Sequence, residues 1–404
     1  MKLVVRMMTL AAVGLGLGAT PALAQAKKKG AKPAAAKAVA KTAEKPAKPG
    51  PGQDAAAAKP VAPKAAEIEK EAIADKKRDE QIEAAKRIIP KIEDGNPQKA
   101  DLLFQLSELY WEKSQFLNRK EMLAYFQAQE DAEARRNRGE KVTDPKEDHR
   151  ESELYRSETM RLYETILREY PTYERKDEVL FNLAKNQYDT GKRDQAIKRY
   201  EELLKSYPGS RFVADTYIEL GNHYFEVANV LEKARTYYEK AYASTNPRIK
   251  SYALYKLAWC DFNAGDHEKA LAKLQQTIEF AEKQGKRDRA FSDLKNEALG
   301  DSVRMFVQLN RADDAIAYFK AHAGKKKQIN LTGKLAYALA DAGHHDNAIK
   351  SFRYLLNDSP VAESAPDWRM LATSSRICRL SSAIWLWIRC ISGYCGLKVA
   401  SFCW

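Results

Sequence analysis

Small, aromatic and proline residues recur in a fixed order about every 33 to 45 residues between Asp177 and Pro360. In the clearest copy, residues 178–210, apolar residues three and four positions apart form one stripe of a first helix. A glycine then marks a turn, and a second helix with a small residue allows close packing before a proline ends the unit. These positions are Leu180, Leu183, Ala184, Gly191, Ala196, Tyr200, Leu203 and Pro208.

Four further copies follow the same order and predict four more helical hairpins. The second copy has one extra residue between its helices, and the fourth has Asn310 in place of the turn glycine. We interpret the aromatic residues as packing between hairpins, because stacked repeats bury their faces on their neighbours. The positions are Leu220, Gly221, Tyr224, Ala234, Tyr238, Ala241 and Pro247; Leu254, Leu257, Ala258, Gly265, Ala270 and Leu274; Leu299, Val303, Asn310, Ala315 and Phe319; and Leu335, Ala336, Gly343, Ala348, Phe352, Leu355 and Pro360.

The spacing in residues 178–210 resembles the consensus of the tetratricopeptide repeat (TPR) family, and the GDHEKAL turn of the third copy is typical of that family. The resemblance implies an all-α fold, a TPR-type helical-hairpin solenoid with a right-handed superhelix, and five units over residues 177–365. It also implies a scaffold that binds another polypeptide rather than an enzyme, with no cofactor.

Upstream, residues 100–176 have the pattern of a divergent first unit with a long charged insertion. ADLLFQLSELYWEKSQF supplies its first helix and RSETMRLYETILREYP its second. Between them, acids and bases alternate at helical spacing, and the pattern breaks at Gly139 and Pro145. We therefore expect two long helices that project past the repeats, preceded by an N-terminal helix over residues 67–99.

The first 66 residues predict export from the cytoplasm followed by a disordered tether. Lys2 and Arg6 precede an apolar run, and Ala22-Leu23-Ala24 has the small-x-small pattern of a signal-peptidase site, so residues 1–24 are interpreted as a signal peptide. An uncleaved anchor is the alternative. Residues 25–66 are rich in alanine, lysine and proline and hold almost nothing with which to form a core. The predicted location is the periplasm, peripheral to the outer membrane.

The net charge of +13 is unevenly distributed along the chain. Residues 1–24 hold two bases and no acid, the linker holds ten lysines against Glu44 and Asp54, and residues 371–404 hold four bases and no acid, which leaves about −1 for residues 67–370. A near-neutral folded region lacks the basic face that duplex binding requires, so we expect no nucleic-acid partner. The lysine-rich linker could instead contact anionic cell wall or lipid.

The last segment, residues 366–404, departs from the repeat pattern. Its residues 371–404 hold four of the five cysteines and half of the six tryptophans, and no acidic residue follows Asp367. A transmembrane helix would be interrupted by Arg389 and Lys398, and the cysteine spacing matches no zinc pattern. A shifted reading frame is the interpretation we favour, and the other two remain open.

No catalytic motif occurs in the sequence. The six histidines join no HExxH, nucleophile-elbow or phosphate-loop motif, and His344 and His345 fall in a predicted turn. Cys260 lies in the first helix of the third copy, where a free thiol packed between helices is the expected role. We therefore predict no enzyme, no cofactor and no metal site.

The expected binding surface is the groove lined by first-helix positions that do not pack against the second helix. Aromatic anchors interleaved with an amide and a lysine suit an extended peptide or a partner helix. The candidate partner-binding residues are Phe181, Lys185, Tyr188, Asp189, Ile218, Asn222, Phe225, Tyr255, Trp259, Phe262 and Tyr337.

The EYP and SYPGS repeat endings are similar to those of periplasmic and outer-membrane-associated TPR proteins of Gram-negative bacteria. These include Tol-Pal-associated and outer-membrane-assembly proteins, and the tether with DLLFQLSELYWEKS resembles TPR proteins of gliding-motility machinery. The resemblance implies a scaffold that assembles or positions an envelope complex. The alternative is an adaptor for cell wall or membrane whose basic linker is the main contact.

Overall fold

The computed structural model describes residues 65–284 and 288–359, and in these ranges the chain is α-helical with no strand. Of these residues, those up to Thr216 and those from Tyr217 onward form two compact units. The helices of the first unit are α1 Ala65–Ile88, α2 Pro97–Asn137, α3 Arg150–Glu169, α4 Lys176–Asp189 and α5 Arg193–Ser206. Those that follow are α6 Val213–Asn222, which spans the division, α7 Leu231–Tyr242, α8 Pro247–Asn263, α9 His267–Gln284, α10 Arg289–Gln308, α11 Ala312–His322, α12 Lys325–Asp341 and α13 His345–Asp358.

The clearest repeat of the sequence forms the α4–α5 hairpin of the first unit. Leu183 and Ala184 on α4 and Ala196 and Tyr200 on α5 are fully buried, as the repeat pattern predicts. The alanines leave room for close helix packing, and the tyrosine ring fills the space beside them. The core continues into α2 and α3, where Phe104, Tyr163 and Ile166 are buried together.

The predicted N-terminal helix over residues 67–99 is shorter than expected. Helix α1 ends at Ile88, a 3₁₀ turn with Pro90 at its start follows, and α2 begins at Pro97. Proline favours the first turn of a helix because it lacks the amide hydrogen that would need a partner further inside. The two prolines therefore divide the segment into two helices.

The charged insertion is built asymmetrically. Helix α2 has 41 residues, whereas α3 has 20 and begins only at Arg150. Gly139 follows the end of α2 with φ of +84°, and residues 140–149 return to α3 without regular secondary structure. The predicted breaks near Gly139 and Pro145 are therefore confirmed, but the prediction of two long helices is wrong because only α2 is extended.

The hairpins of the second unit pack by the same rule as α4–α5. Ala258 on α8 and Ala270 on α9 are fully buried, and so are Ala336 on α12 and Ala348 on α13. The buried aromatic residues Tyr238, Phe319 and Phe352 fill the spaces between helices. The prediction that these residues form the core is confirmed.

The turn of the irregular fourth repeat has the same backbone geometry as the regular ones. Gly191, Gly265 and Gly343 have φ between +80° and +85°, and Asn310 has φ of +52°. Asparagine is one of the few other residues that tolerate this left-handed conformation. Asn310 therefore substitutes for the turn glycine, and α10 and α11 form a hairpin despite the weaker sequence match.

The extra residue of the second repeat lies where α6 becomes a π-helix, His223–Val227. A π-turn closes its hydrogen bonds one residue later than an α-turn and so absorbs a single insertion. Upstream of it, Gly221 lies against the ring of Tyr238: an added Cβ would be 2.5 Å from Cε1. The helix retains its close contact with α7 because position 221 has no side chain.

Among the described helices, none is both long enough and apolar enough to cross a membrane. The predicted signal peptide, residues 1–24, almost all of the linker and the tail from residue 366 lie outside the described residues.

Candidate partner-binding surface

In the first unit, the predicted residues lie along one side of α4. Phe181 is half-buried and stacks on Phe212 with ring centroids 5.0 Å apart. Lys185 and Tyr188 are also half-buried, and Asp189 is exposed. The guanidinium of Arg193 lies 5.8 Å from the centre of the Tyr188 ring. Helix α4 thus presents an aromatic and charged side, with Phe181 partly used in packing.

A polar cluster between α2 and α4 was not among the predicted residues. The Tyr163 hydroxyl donates a hydrogen bond to Oε1 of Glu108, and Nδ2 of Asn182 lies 3.3 Å from the same oxygen. Burial raises the pKa of Glu108 above its ordinary value, while the hydrogen bond from Tyr163 opposes that shift. The cluster joins three helices and is therefore mainly a structural feature.

At the start of the second unit, the predicted residues are drawn into packing. Ile218 is buried, and the carboxamide oxygen of Asn222 accepts a hydrogen bond of 2.9 Å from the Tyr238 hydroxyl. Phe225 is half-buried, with its ring edge-on to Tyr238 and the ammonium of Lys256 5.6 Å from its centre. Phe225 is the aromatic residue of this group, and its ring is only partly buried.

On α8, burial separates the three predicted aromatic residues. Tyr255 is 5 % exposed and Trp259 is 7 % exposed, so both pack within the chain and offer little surface to a partner. Phe262 is half-buried, with its ring edge-on to Trp259 at 5.4 Å and 5.0 Å from the His267 ring. Phe262 is therefore the α8 residue best placed for contact.

Helix α10 places two acidic residues beside α8. The Tyr255 hydroxyl lies 2.5 Å from Oδ2 of Asp301 and 3.1 Å from Oε1 of Glu297, and it donates its single hydrogen to one of them at a time. Burial raises the pKa of Asp301, and the hydrogen bond from Tyr255 opposes the shift. Glu297 is exposed. We call Tyr255, Trp259, Phe262, Glu297 and Asp301 the α8–α10 face.

Glu297 and Asp301 are not among the predicted residues, although the sequence contains a signal for them. They lie one helical turn apart, on the opposite side of α10 from the repeat positions Leu299 and Val303, which are buried. Placing the fourth repeat in register with the third would have aimed both carboxylates at the aromatic residues of α8.

Tyr337 lies apart from this face, on α12. Its ring is half-buried and packs edge-on against Phe352 with centroids 5.1 Å apart. The residue contributes to the α12–α13 hairpin, and its predicted contact with a partner stays a prediction.

Cys260, next to Trp259 on α8, is fully buried. Burial raises the pKa of its thiol to about 12, so the reactive thiolate is scarce near neutral pH. The expectation of a free thiol packed between helices is confirmed. Over residues 65–284 and 288–359, no cluster of three or more histidine, cysteine or acidic side chains has the arrangement of a metal site.

Comparison with known proteins supports the repeat assignment. The tetratricopeptide repeat family profile matches residues 178–210, in the first unit, and residues 252–281, in the second. The first match coincides with the clearest copy of the sequence pattern, and the second covers most of α8 and most of α9. No curated protein matches the chain.

Several solved structures are similar over most of their length. The C-terminal part of a TPR repeat-containing protein from Cytophaga hutchinsonii is 14% identical, with 71% of this chain and 98% of that one covered and a TM-score of 0.39. PilW, a type IV pilus biogenesis factor, is 17% identical, with 60% and 97% covered and a TM-score of 0.34. A tetratricopeptide repeat protein from Parabacteroides merdae is 15% identical, with 62% and 99% covered and a TM-score of 0.30.

TM-scores this low carry no argument about function. The tetratricopeptide repeat assignment depends instead on the family profile and on the hairpins themselves. Residues 178–210 and 252–281 of this chain are tetratricopeptide repeats.

Proposed function

We propose that this protein is a non-catalytic scaffold that binds a partner polypeptide on its first helices and so assembles or positions a complex of the bacterial cell envelope. The observation that carries the binding role is the pair of tetratricopeptide repeats, because this repeat is generally a protein-interaction module. The partner would be an extended peptide or a helix, because a row of aromatic anchors suits either.

The α8–α10 face indicates which residues would make the contact. Phe262 keeps part of its ring accessible, and the exposed carboxylate of Glu297 lies at the same helix pair. Tyr255 and Trp259 are buried; the Tyr255 hydroxyl contacts Glu297, and the Trp259 ring packs against Phe262. An aromatic anchor next to a charged rim is the usual composition of a contact that contributes strongly to affinity.

Site-specific photocrosslinking tests this role. A photoreactive phenylalanine analogue at Phe262 should give one discrete adduct in intact cells, whereas the same group at Gln276, an exposed residue of α9, should give none. The Glu297→Lys variant should weaken the adduct at position 262. Equal labelling from both positions would contradict partner binding on this face. Substituting Tyr255 or Trp259 would be a poorer test, because loss of a buried aromatic residue also destabilises the fold.

The envelope location is supported by the N-terminal sequence: a basic start, an apolar run and a small-x-small site. Gliding motility, the Tol-Pal system and outer-membrane assembly are the candidate processes. Cell fractionation combined with N-terminal sequencing tests the location. We expect a periplasmic protein whose first residue is Gln25, and a cytoplasmic protein that retains Met1 would contradict it.

The alternative function, an adaptor for cell wall or membrane, is favoured by the ten lysines of residues 25–66. Deleting residues 26–64 separates the two functions. If the linker is the main contact, the deletion should abolish binding to anionic vesicles and sacculi and also remove the photocrosslink at Phe262. If the repeats bind the partner, the crosslink should persist.

A further inference from the structure

A groove between α11 and α13 forms a second candidate binding site in the second unit. It is a shallow groove open to solvent, with a volume of about 470 Å³. Each helix lines it with four residues spaced at i, i+3, i+4 and i+7, so the groove follows about two helical turns, on the order of 10 Å. These residues lie on the second helices of their hairpins, and none belongs to the α8–α10 face.

The floor of the groove is apolar and fixed. Ile316 is buried, Ala317 lies beside it, and the half-buried Tyr354 contributes from α13. Nε2 of Gln328 on α12 donates a hydrogen bond of 2.8 Å to the Tyr354 hydroxyl, which holds the ring in place. The floor can therefore accept an apolar side chain without rearrangement.

The rim of the groove is positively charged. Lys320 comes from α11, and Lys350 and Arg353 come from α13. Lys350 forms an ion pair with Asp313, the acidic residue of the lining. Neither Lys320 nor Arg353 forms an ion pair within residues 65–284 and 288–359, and both are exposed. The groove therefore holds two cations whose charge is not neutralised by a neighbouring side chain.

We propose that this groove binds an acidic segment of a partner protein, with carboxylates on Lys320 and Arg353 and an apolar side chain on the floor. Charge complementarity selects an anion, and the arginine can bind a carboxylate through two parallel hydrogen bonds. The apolar floor favours a peptide over an inorganic anion, because a small ion would leave Ile316 and Ala317 uncovered. The site lies apart from the α8–α10 face and would permit two partners at once.

The probe is a short fluorescein-labelled peptide of alternating glutamate and leucine, measured by fluorescence anisotropy with the full-length protein. A peptide with glutamine in place of glutamate is the matched probe. We expect the acidic peptide to bind at least about tenfold more tightly, since two or three surface ion pairs each contribute up to about a factor of five. Equal binding of the two peptides would overturn the proposal.

The variant Lys320→Gln/Arg353→Gln should weaken binding of the acidic peptide about tenfold, because it removes both unpaired charges. The control Lys192→Gln/Lys205→Gln removes two exposed lysines of the first unit and the same net charge, and it should bind as the wild type does. An equal loss in the control would show a nonspecific charge effect and overturn the site. Vesicles containing phosphatidylglycerol form the third arm: binding to them that depends on Lys320 and Arg353, without peptide binding, would assign the groove to lipid instead.

Discussion

The α1–α2 pair and the α8–α9 pair bury helix faces by different means. Between α8 and α9, Ala258, Ala270 and Leu274 are buried and the contact depends on the size of apolar side chains. Between α1 and α2, Asp75, Arg78 and Lys113 are each less than a tenth exposed. Oxygens of Asp75 lie 2.6 Å from Nη1 of Arg78 and 2.6 Å from Nζ of Lys113.

The difference determines what each contact tolerates. An apolar contact weakens in proportion to the volume removed, whereas a buried ion pair becomes costly when one partner is lost and the other stays buried. The second unit also buries a carboxylate, that of Asp261, between Arg235 and Lys273. There the charges supplement an apolar core, while on α1 they make up much of the buried face.

Phe306→Ala tests how far the apolar core of the second unit depends on side-chain volume, and we expect it to have the largest effect. Phe306 is 1 % exposed and packs edge-on against Phe319 with centroids 5.8 Å apart. Removing its ring should lower the free energy of unfolding by about 3 to 5 kcal/mol, through lost burial and the cavity left behind. Urea unfolding followed by circular dichroism measures the change. Tyr242→Ala is the control, because that ring is 37% exposed and its loss should cost below about 1 kcal/mol.

A substitution of Lys113 on α2 tests whether buried ion pairs, rather than apolar contacts alone, hold α1 against α2. Lys113→Met keeps the length of the side chain but leaves Asp75 with Arg78 as its only ion-pair partner within residues 65–284 and 288–359. We expect the free energy of unfolding to fall by about 3 kcal/mol, because the Asp75 carboxylate would remain buried with one cation fewer beside it.

Hydrogen exchange of the α1 amides should accelerate in Lys113→Met, since α1 is the element that the network fixes to α2. The control is Lys86→Met on α1, whose ammonium is 3.1 Å from Glu83 in a largely exposed pair and should matter little. If exchange in α1 changed equally in both variants, the buried network would not be what holds the helix.

How far the sequence predicts the structure follows from the same contrast. The contacts of Leu183, Ala184 and Ala196 were predictable because a repeated apolar spacing has one physical solution, a packed hairpin. The burial of Asp75 and Lys113 was not, because acids and bases at helical spacing have the same pattern on a solvated face as in a buried network.

The candidate site was predictable in part for a related reason. Spacing placed Tyr255 and Trp259 on the first helix of a repeat, but it could not show that the next first helix would cover them. Glu297 and Asp301 lie on that next helix, in the repeat whose match to the pattern was weakest. Contacts between repeats depend on how two segments are aligned with each other, and the pattern within one segment does not give that alignment.

Gly221→Ala tests how finely the hairpins depend on side-chain size. The added Cβ would lie 2.5 Å from Cε1 and 2.7 Å from Cδ1 of Tyr238, whose ring is fully buried and whose hydroxyl is hydrogen-bonded to Asn222. Since the ring has no room to move, we expect a loss of about 1 to 3 kcal/mol in urea unfolding.

The matched control for Gly221→Ala is Gly300→Ala, in the interior of α10. Apart from its chain neighbours and the backbone of its own helix, no atom lies within 4 Å of the position that its Cβ would take. Alanine should there stabilise the protein by up to about 1 kcal/mol, because it reduces the backbone entropy of the unfolded chain. Opposite signs for the two substitutions would confirm that packing, rather than helix propensity, sets the effect at Gly221.

The smallest expected effect concerns Glu108, a carboxylate that burial affects without a cationic partner as close as those of Asp75. Its native pKa is raised above the unfolded value. The charged form therefore costs stability near neutral pH, and that cost disappears as the pH falls through the native pKa towards the unfolded one.

Glu108→Gln retains an oxygen for the Tyr163 hydroxyl and removes the charge. We expect it to stabilise the protein at pH 7 by less than about 1 kcal/mol and to have no effect near pH 4, by urea unfolding at both values. The control Glu164→Gln alters an exposed carboxylate of α3 and should change neither value. A gain from Glu108→Gln that persisted at pH 4 would show that burial of the charge is not its cause.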